Sequence, residues 1–319
     1  LIMMNTNTQL TLLLLLLLLL PSPTIQLTIP PPLHPITDPT FAPMSNSYTT
    51  LGPTSYVPPF PSNLSPNPSV LICLHGFDSN SFEYRRLHPI LSTKHHAYAV
   101  DISGWGFSSL APGSSTSEVK TAGVVNFVKS ICKEEGHELE DVVMVGASLG
   151  ATVAMEVTME LGLKRLICLD GQCFVDGVGP TPPKFLLGLG VEVLRSRWLR
   201  RLANRLSYKD VKLGDEDAVE IGCLHTRREG WKEGIIEFIE SGGFKPLKSV
   251  PKVKTAGVKT LALWGSDDNI LPPTDRLKFQ DLMGATVVEV EDCGHVPHLE
   301  QPEVTAGIIN KWLEDTKVE

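Results

Sequence analysis

The run Val142-Val143-Met144-Val145-Gly146-Ala147-Ser148-Leu149-Gly150-Ala151 decides how this chain is read. Apolar, mostly β-branched residues end abruptly in Gly-x-Ser-x-Gly, and helix-compatible sequence follows. A strand, a sharp turn and a helix with serine at the apex hold the Ser148 hydroxyl clear of the backbone, as a nucleophile requires. Gly146 and Gly150 leave room where strand and helix crowd together, and Ala147 and Ala151 are also small. By itself the pattern is weak, since it arises by chance in about one of ten chains of this length. The weight falls on whether the other parts of the chemistry are present.

A serine hydroxyl needs a general base within hydrogen-bond reach, and the base needs an orienting acid. Downstream, Thr286-Val287-Val288-Glu289-Val290-Glu291 turns from Val288 into an apolar/acidic alternation, the pattern of a strand with one buried face. It leads into Asp292-Cys293-Gly294-His295-Val296-Pro297-His298, which places His295 on a loop at the sheet's edge as the base. His298, three residues on, opens the approach to the final helix. Between serine and histidine, the apolar run Thr260–Trp264 ends at Gly265 and is followed by Asp267-Asp268-Asn269. One carboxylate of the pair can hold the histidine's Nδ1 proton and fix its tautomer, while the other caps an Asx-type turn. Upstream, Ser69–Leu74 runs into His75-Gly76-Phe77-Asp78, a loop able to aim backbone N–H groups at a developing oxyanion. Phe77 N–H and Leu149 N–H are the natural pair, with His75 in a structural role.

The segments HGF, DISGWGFS, GASLG, WGSDDNILPP and CGHVPHLEQPE, in this order, resemble the α/β-hydrolase fold superfamily. The likeness covers roughly residues 69 to 314 apart from a middle insert, and is greatest to uncharacterised plant and cyanobacterial members. It implies an α/β fold with a mainly parallel, doubly wound sheet. It also implies Ser148 as nucleophile, Asp268 as acid, His295 as base, and Phe77 and Leu149 as oxyanion donors. Asp268 rather than Asp267 fits the family's Gly-x-x-Asp pattern, followed by an apolar residue and proline, at Gly265, Ile270 and Pro272. Relatives that open epoxides or displace halide carry aspartate at the elbow. Serine there implies acyl chemistry: a serine hydrolase cleaving an ester, thioester or related substrate through an acyl-enzyme. The alternatives are a slow-turnover ligand receptor of the same fold, or a cofactor-free haloperoxidase-like or carbon–carbon hydrolase.

Composition agrees. The 319 residues suffice for one α/β domain, and strands alternate with helical stretches as a parallel sheet covered on both faces requires. A net charge of −8 disfavours nucleic acid as a partner and gives no basic footprint for anionic membranes. No metal-ligand spacing is present, and neither a metal nor a cofactor is expected. The six cysteines are scattered, so they read as small buried residues rather than a disulfide framework.

A leader is expected before the domain at 47–319, and a cap insert within it. Residues 1–46 have the composition of a leader, with nine leucines at 12–20 and a Pro/Thr/Ser-rich stretch after them. The leucine run is too short to span a membrane, and no stable span is expected in the mature chain. A plastid location is expected on the plant-like resemblance, with secretion as the alternative. The second segment is a helical cap inserted at about 171–255. Leu194, Trp198, Leu202 and Leu206 recur at four-residue spacing, as on one helix face, with arginines falling largely elsewhere. That apolar face is expected to shape a pocket for a small, apolar acyl substrate, the competing expectation being that the arginines face the pocket and recruit an anionic one.

Overall fold

The computed structural model describes residues 29–62, 64–179 and 182–317. The nine-leucine run and the rest of residues 1–28 lie outside these. Eight strands form one sheet: β1 (Thr49–Leu51), β2 (Thr54–Val57), β3 (Val70–Leu74), β4 (His96–Val100), β5 (Val142–Ala147), β6 (Arg165–Leu169), β7 (Lys259–Gly265) and β8 (Thr286–Val290). Their spatial order is β1-β2-β4-β3-β5-β6-β7-β8, antiparallel at β1/β2 and β2/β4 and parallel from β4 to β8.

The central strands are buried on both sides, which is why they read as continuous apolar runs. Their residues still divide with period two. Val70, Ile72 and Leu74 enter one core, and Leu71 and Cys73 enter the other, across the sheet. Helices cover both faces. In chain order they are α1 (Phe41–Ser47), α2 (Leu87–Leu91), α3 (Ser117–Glu135), α4 (Leu149–Leu161), α5 (Lys184–Leu194), α6 (Arg197–Ser207), α7 (Glu216–Cys223), α8 (Trp231–Glu240), α9 (Val250–Thr255), α10 (Asp275–Met283), α11 (Pro297–Glu300) and α12 (Pro302–Asp315). The Thr116 side chain caps α3 by accepting from Val119 N–H, and left-handed Gly136 ends it. Helices α5 to α9 form the insert between β6 and β7. All six cysteines are free and buried.

Residues 29–46, expected to belong to a leader outside the fold, are instead packed onto it. Met44 is fully buried, Ile29, Ile36 and Phe41 pack against the same core, and the Phe41 ring meets Phe82 edge-on at 5.1 Å. Asp38 receives the buried Arg85 at 2.8 Å and Arg86 at 3.4 Å. Composition concealed this, because four apolar side chains spaced along a proline-rich segment make no periodic pattern. A chain beginning at Tyr48 should therefore melt well below one beginning at Ile29. Met44→Ala in the full chain should cost about 2–5 kcal/mol. Thermal unfolding of the three proteins checks this, and equal melting temperatures would show that the segment adds nothing.

Candidate active site

The elbow is set by close approach. A Cβ on Gly146 would lie 2.3 Å from Gly150 O, and one on Gly150 would lie 2.3 Å from Leu74 O and 2.4 Å from His75 O. No side chain fits at either place. Between them Ser148 takes φ 49°, ψ −120°, a strained conformation for a residue with a Cβ. Three hydrogen bonds fix it: Ser148 N–H to Leu169 O, and Ala151 N–H and Gln172 N–H to Ser148 O, all within 3.0 Å.

The carboxyl ends of the neighbouring strands bring the other groups to the same place. Beyond β8, His295 Nδ1 meets Asp268 Oδ2, beyond β7, at 2.9 Å. That bond leaves Nε2 for another partner. Asp268 Oδ1 accepts Ile270 N–H at 2.7 Å and Leu271 N–H at 3.2 Å. Burial alone would raise the Asp268 pKa, but the His295 contact and these N–H groups hold it below the ordinary value. Asp267 instead turns outward to Lys209 at the surface. Ser148, His295 and Phe77 line one cavity of about 220 Å³. Gly76 abuts the serine, since a Cβ there would stand 3.4 Å from Ser148 Cβ. Leu149 is the first residue of α4, so its N–H is among those with no intrahelical acceptor. Ile102 N–H donates to His75 Nε2, so Nδ1 carries the proton that His75 gives to Gly76 O at 2.8 Å. Burial lowers its pKa to about 4, and the ring stays neutral as a brace for the loop.

Three acidic residues at the site escaped the sequence reading. Asp170, past β6, accepts Gly265 N–H at 2.9 Å. With Asp268 and His295 it forms a buried group whose ligand atoms lie within 4.8 Å of one another. Its pKa is pushed well up, first by burial and then by the Asp268 charge. A cation would have to displace the Asp268–His295 hydrogen bond, and that bond already accounts for the proximity. Glu83 accepts Gly76 N–H at 3.2 Å and pairs with His298 Nε2 at 3.1 Å. Asp78, at φ 46°, accepts His225 Nε2–H at 2.9 Å, Trp231 Nε1–H at 2.8 Å and a charged bond from Arg200. It directly follows Phe77, so one buried carboxylate ties the loop to three parts of the insert. Only the side chains' arrival from distant sequence makes these roles visible.

The insert presents an unexpected face. Arg197 and Arg201 of α6 pair with Glu216, Arg197 also pairs with Glu220, and Arg200 turns to Asp78. Arg200, Ala203, Asn204 and Ser207 line the cavity, while Trp198, Leu202 and Leu206 are exposed at 60%, 44% and 47%. The expected apolar lining from this helix is therefore corrected, because α6 is turned with its polar face inward.

Residues 71–308 match the profile of the Alpha/beta hydrolase family. The alpha/beta hydrolase domain-containing protein VTE7 of Arabidopsis thaliana is 31% identical over 254 residues, covering 76% of this chain and 74% of that one. The uncharacterized hydrolase YugF of Bacillus subtilis is 24% identical over 264 residues, covering 78% and 92%. Among solved structures, a thermophilic esterase from Thermogutta terrifontis superposes with TM-score 0.63 at 20% identity, covering 84% and 96%. The epoxide hydrolase CorEH does so with TM-score 0.64 at 18% identity, covering 86% and 98%. These two likenesses concern the fold alone. The chain belongs to the alpha/beta hydrolase family, and its class is that of a hydrolase.

Asp78→Ala should strand Arg200 and the buried His225, and breaking such a pair costs about 3–5 kcal/mol. Chemical denaturation should show that loss, and a cost under about 1 kcal/mol would mean the network is not an anchor. Glu83 gives a pH signature. Burial would raise its pKa, but hydrogen bonding and charge from His298 bring it down to about 2. Its contribution is complete above the ordinary glutamate value of 4.5 and is lost as pH falls towards 2. Glu83→Gln should be less stable at neutral pH and lose less between pH 4.5 and 2. Parallel unfolding curves for the two proteins over that window would refute the assignment.

Proposed function

We propose that this hydrolase cleaves an ester, thioester or related acyl substrate through a covalent acyl-enzyme on Ser148. The observation that carries the reading is the His295–Asp268 bond at 2.9 Å, on the same cavity as a serine held in a strained elbow. His295 Nε2 takes the Ser148 proton as Oγ attacks the acyl carbonyl. Asp268 holds the ring in the tautomer that leaves Nε2 free and stabilises the imidazolium that forms. Phe77 and Leu149 N–H groups receive the oxyanion. His295 then gives its proton to the departing alcohol or thiol. Water enters, loses a proton to His295 and releases the acid, restoring the serine.

The cavity supports a small acyl group. Apolar contact is available from Phe77, Ile221 and Leu299, while Asn204 and Arg200 offer donors to a polar end. The insert acts as a cap that encloses this group. A plastid site of action is compatible with the plant relative.

A panel of neutral acyl esters tests the proposal, with fluorophosphonate labelling beside it. Wild type should be labelled and turn over repeatedly, and Ser148→Ala should do neither. Asp268→Asn should lower kcat by orders of magnitude, on the scale of ~10⁴, and Asp267→Asn by little. Equal labelling of wild type and Ser148→Ala would overturn the nucleophile. A worse effect from Asp267→Asn would overturn the acid.

A further inference from the structure

Helix α6 sits in the fold with its apolar face outward. Arg197 and Arg200 reach the buried Glu220 and Asp78, and Arg201 pairs with Glu216 at the surface. The opposite face presents Trp198, Leu202 and Leu206 to solvent. The preceding helix α5 buries Leu187 and Val191 but leaves Leu186, Leu189 and Val193 exposed at 48%, 64% and 44%. Scattered exposed apolar residues are ordinary. A helix that turns Trp198, Leu202 and Leu206 together to water is not, because amphipathic helices turn such a stripe towards the core.

Charge indicates what would cover it. The net charge of −8 gives no basic footprint over the whole chain, but residues 195–212 hold seven basic residues and one acid, Asp210, and five of the seven pair with carboxylates. Arg205, on the stripe's side of α6, and Lys212, in the loop after it, are exposed and pair with no carboxylate among the described residues. A second copy docked by the same face would bring these cationic rims together. The leucine-rich residues 1–28 contain no acidic side chain to complement them. An anionic lipid surface supplies both partners, an apolar depth for tryptophan and leucine and headgroups for the arginine and lysine.

We propose that the outer face of α5 and α6 docks on an anionic lipid bilayer, lying in the interface. Among the described residues no helix is long and apolar enough to cross a membrane, so the contact is peripheral. The inner face of α6 lines the candidate active site, so docking would put that cavity one helix away from the lipid. The docking surface is independent of the chemistry proposed for Ser148.

The test is co-sedimentation of the full chain with vesicles of phosphatidylcholine alone or mixed with phosphatidylglycerol. Wild type should partition onto the mixed vesicles, and added salt should weaken the binding. The combined variant Trp198→Ser, Leu202→Ser, Leu206→Ser should bind at least about tenfold less, a loss of about 1.4 kcal/mol. It should keep its melting temperature and its turnover of a water-soluble ester. If it does not fold, Leu202→Ser and Arg205→Glu made singly should each weaken binding. Failure of wild type to bind either vesicle would overturn the proposal. So would equal binding to both vesicle types, or undiminished binding by the variants. A wild-type dimer that becomes monomeric in the combined variant would assign the face to a second copy instead.

Discussion

The site is organised around one steric constraint, the crossing of β5, α4 and the end of β3 at the elbow. Backbone atoms there stand where a Cβ on Gly146 or Gly150 would have to go, at 2.3 Å. That closeness forces the chain through the strained conformation of Ser148, which costs on the order of 1–3 kcal/mol. Backbone hydrogen bonds from Ser148, Ala151 and Gln172 over-determine the turn. Strain held in this way does not relax, so the hydroxyl keeps its position without help from the substrate. The same packing lays the Gly76 loop against the serine.

A second constraint joins the insert to that frame on two sides. On one side Arg200, His225 and Trp231 converge on Asp78, next to Phe77. On the other, His295 N–H donates to Ser207 O at the end of α6 at 2.7 Å, and Glu300 accepts Gly294, Lys209 and Asp210 N–H groups. The insert is thus tied both to the loop at residues 76–78 and to the histidine loop. Displacing it would disturb both at once. A buried carboxylate with three donors is costly to break and offers no half-engaged state, because an unpaired Arg200 or His225 would stay desolvated.

What the sequence disclosed follows from the range of the interactions. The elbow, the fully buried strands and the order of serine, acid and histidine are local patterns, and each stands in contiguous residues. Asp268 is preferred to Asp267 only through the family resemblance at Gly265, Ile270 and Pro272. Asp78, Glu83 and Asp170 gave no local signal. Asp78 meets His225 and Trp231 from 147 and 153 residues away. Glu83 meets His298 from 215 residues away. Residues 29–46 were hidden for a related reason, since an ion pair such as Asp38–Arg85 is set by the body they rest on.

Helix α6 shows a different limit. Its periodicity was plain in the sequence, but periodicity states only that two faces differ. Which face turns inward depends on what the neighbours offer. Here they offer the carboxylates of Glu216, Glu220 and Asp78. Arginines directed at the buried carboxylates of Glu220 and Asp78 gain charge-assisted bonds, and leaving those two acids unpaired would cost more than leaving leucine and tryptophan in water. The apolar face is exposed as a consequence of ion pairing on the other side. A helix held by its charges keeps its hydrophobic surface free for something outside the molecule.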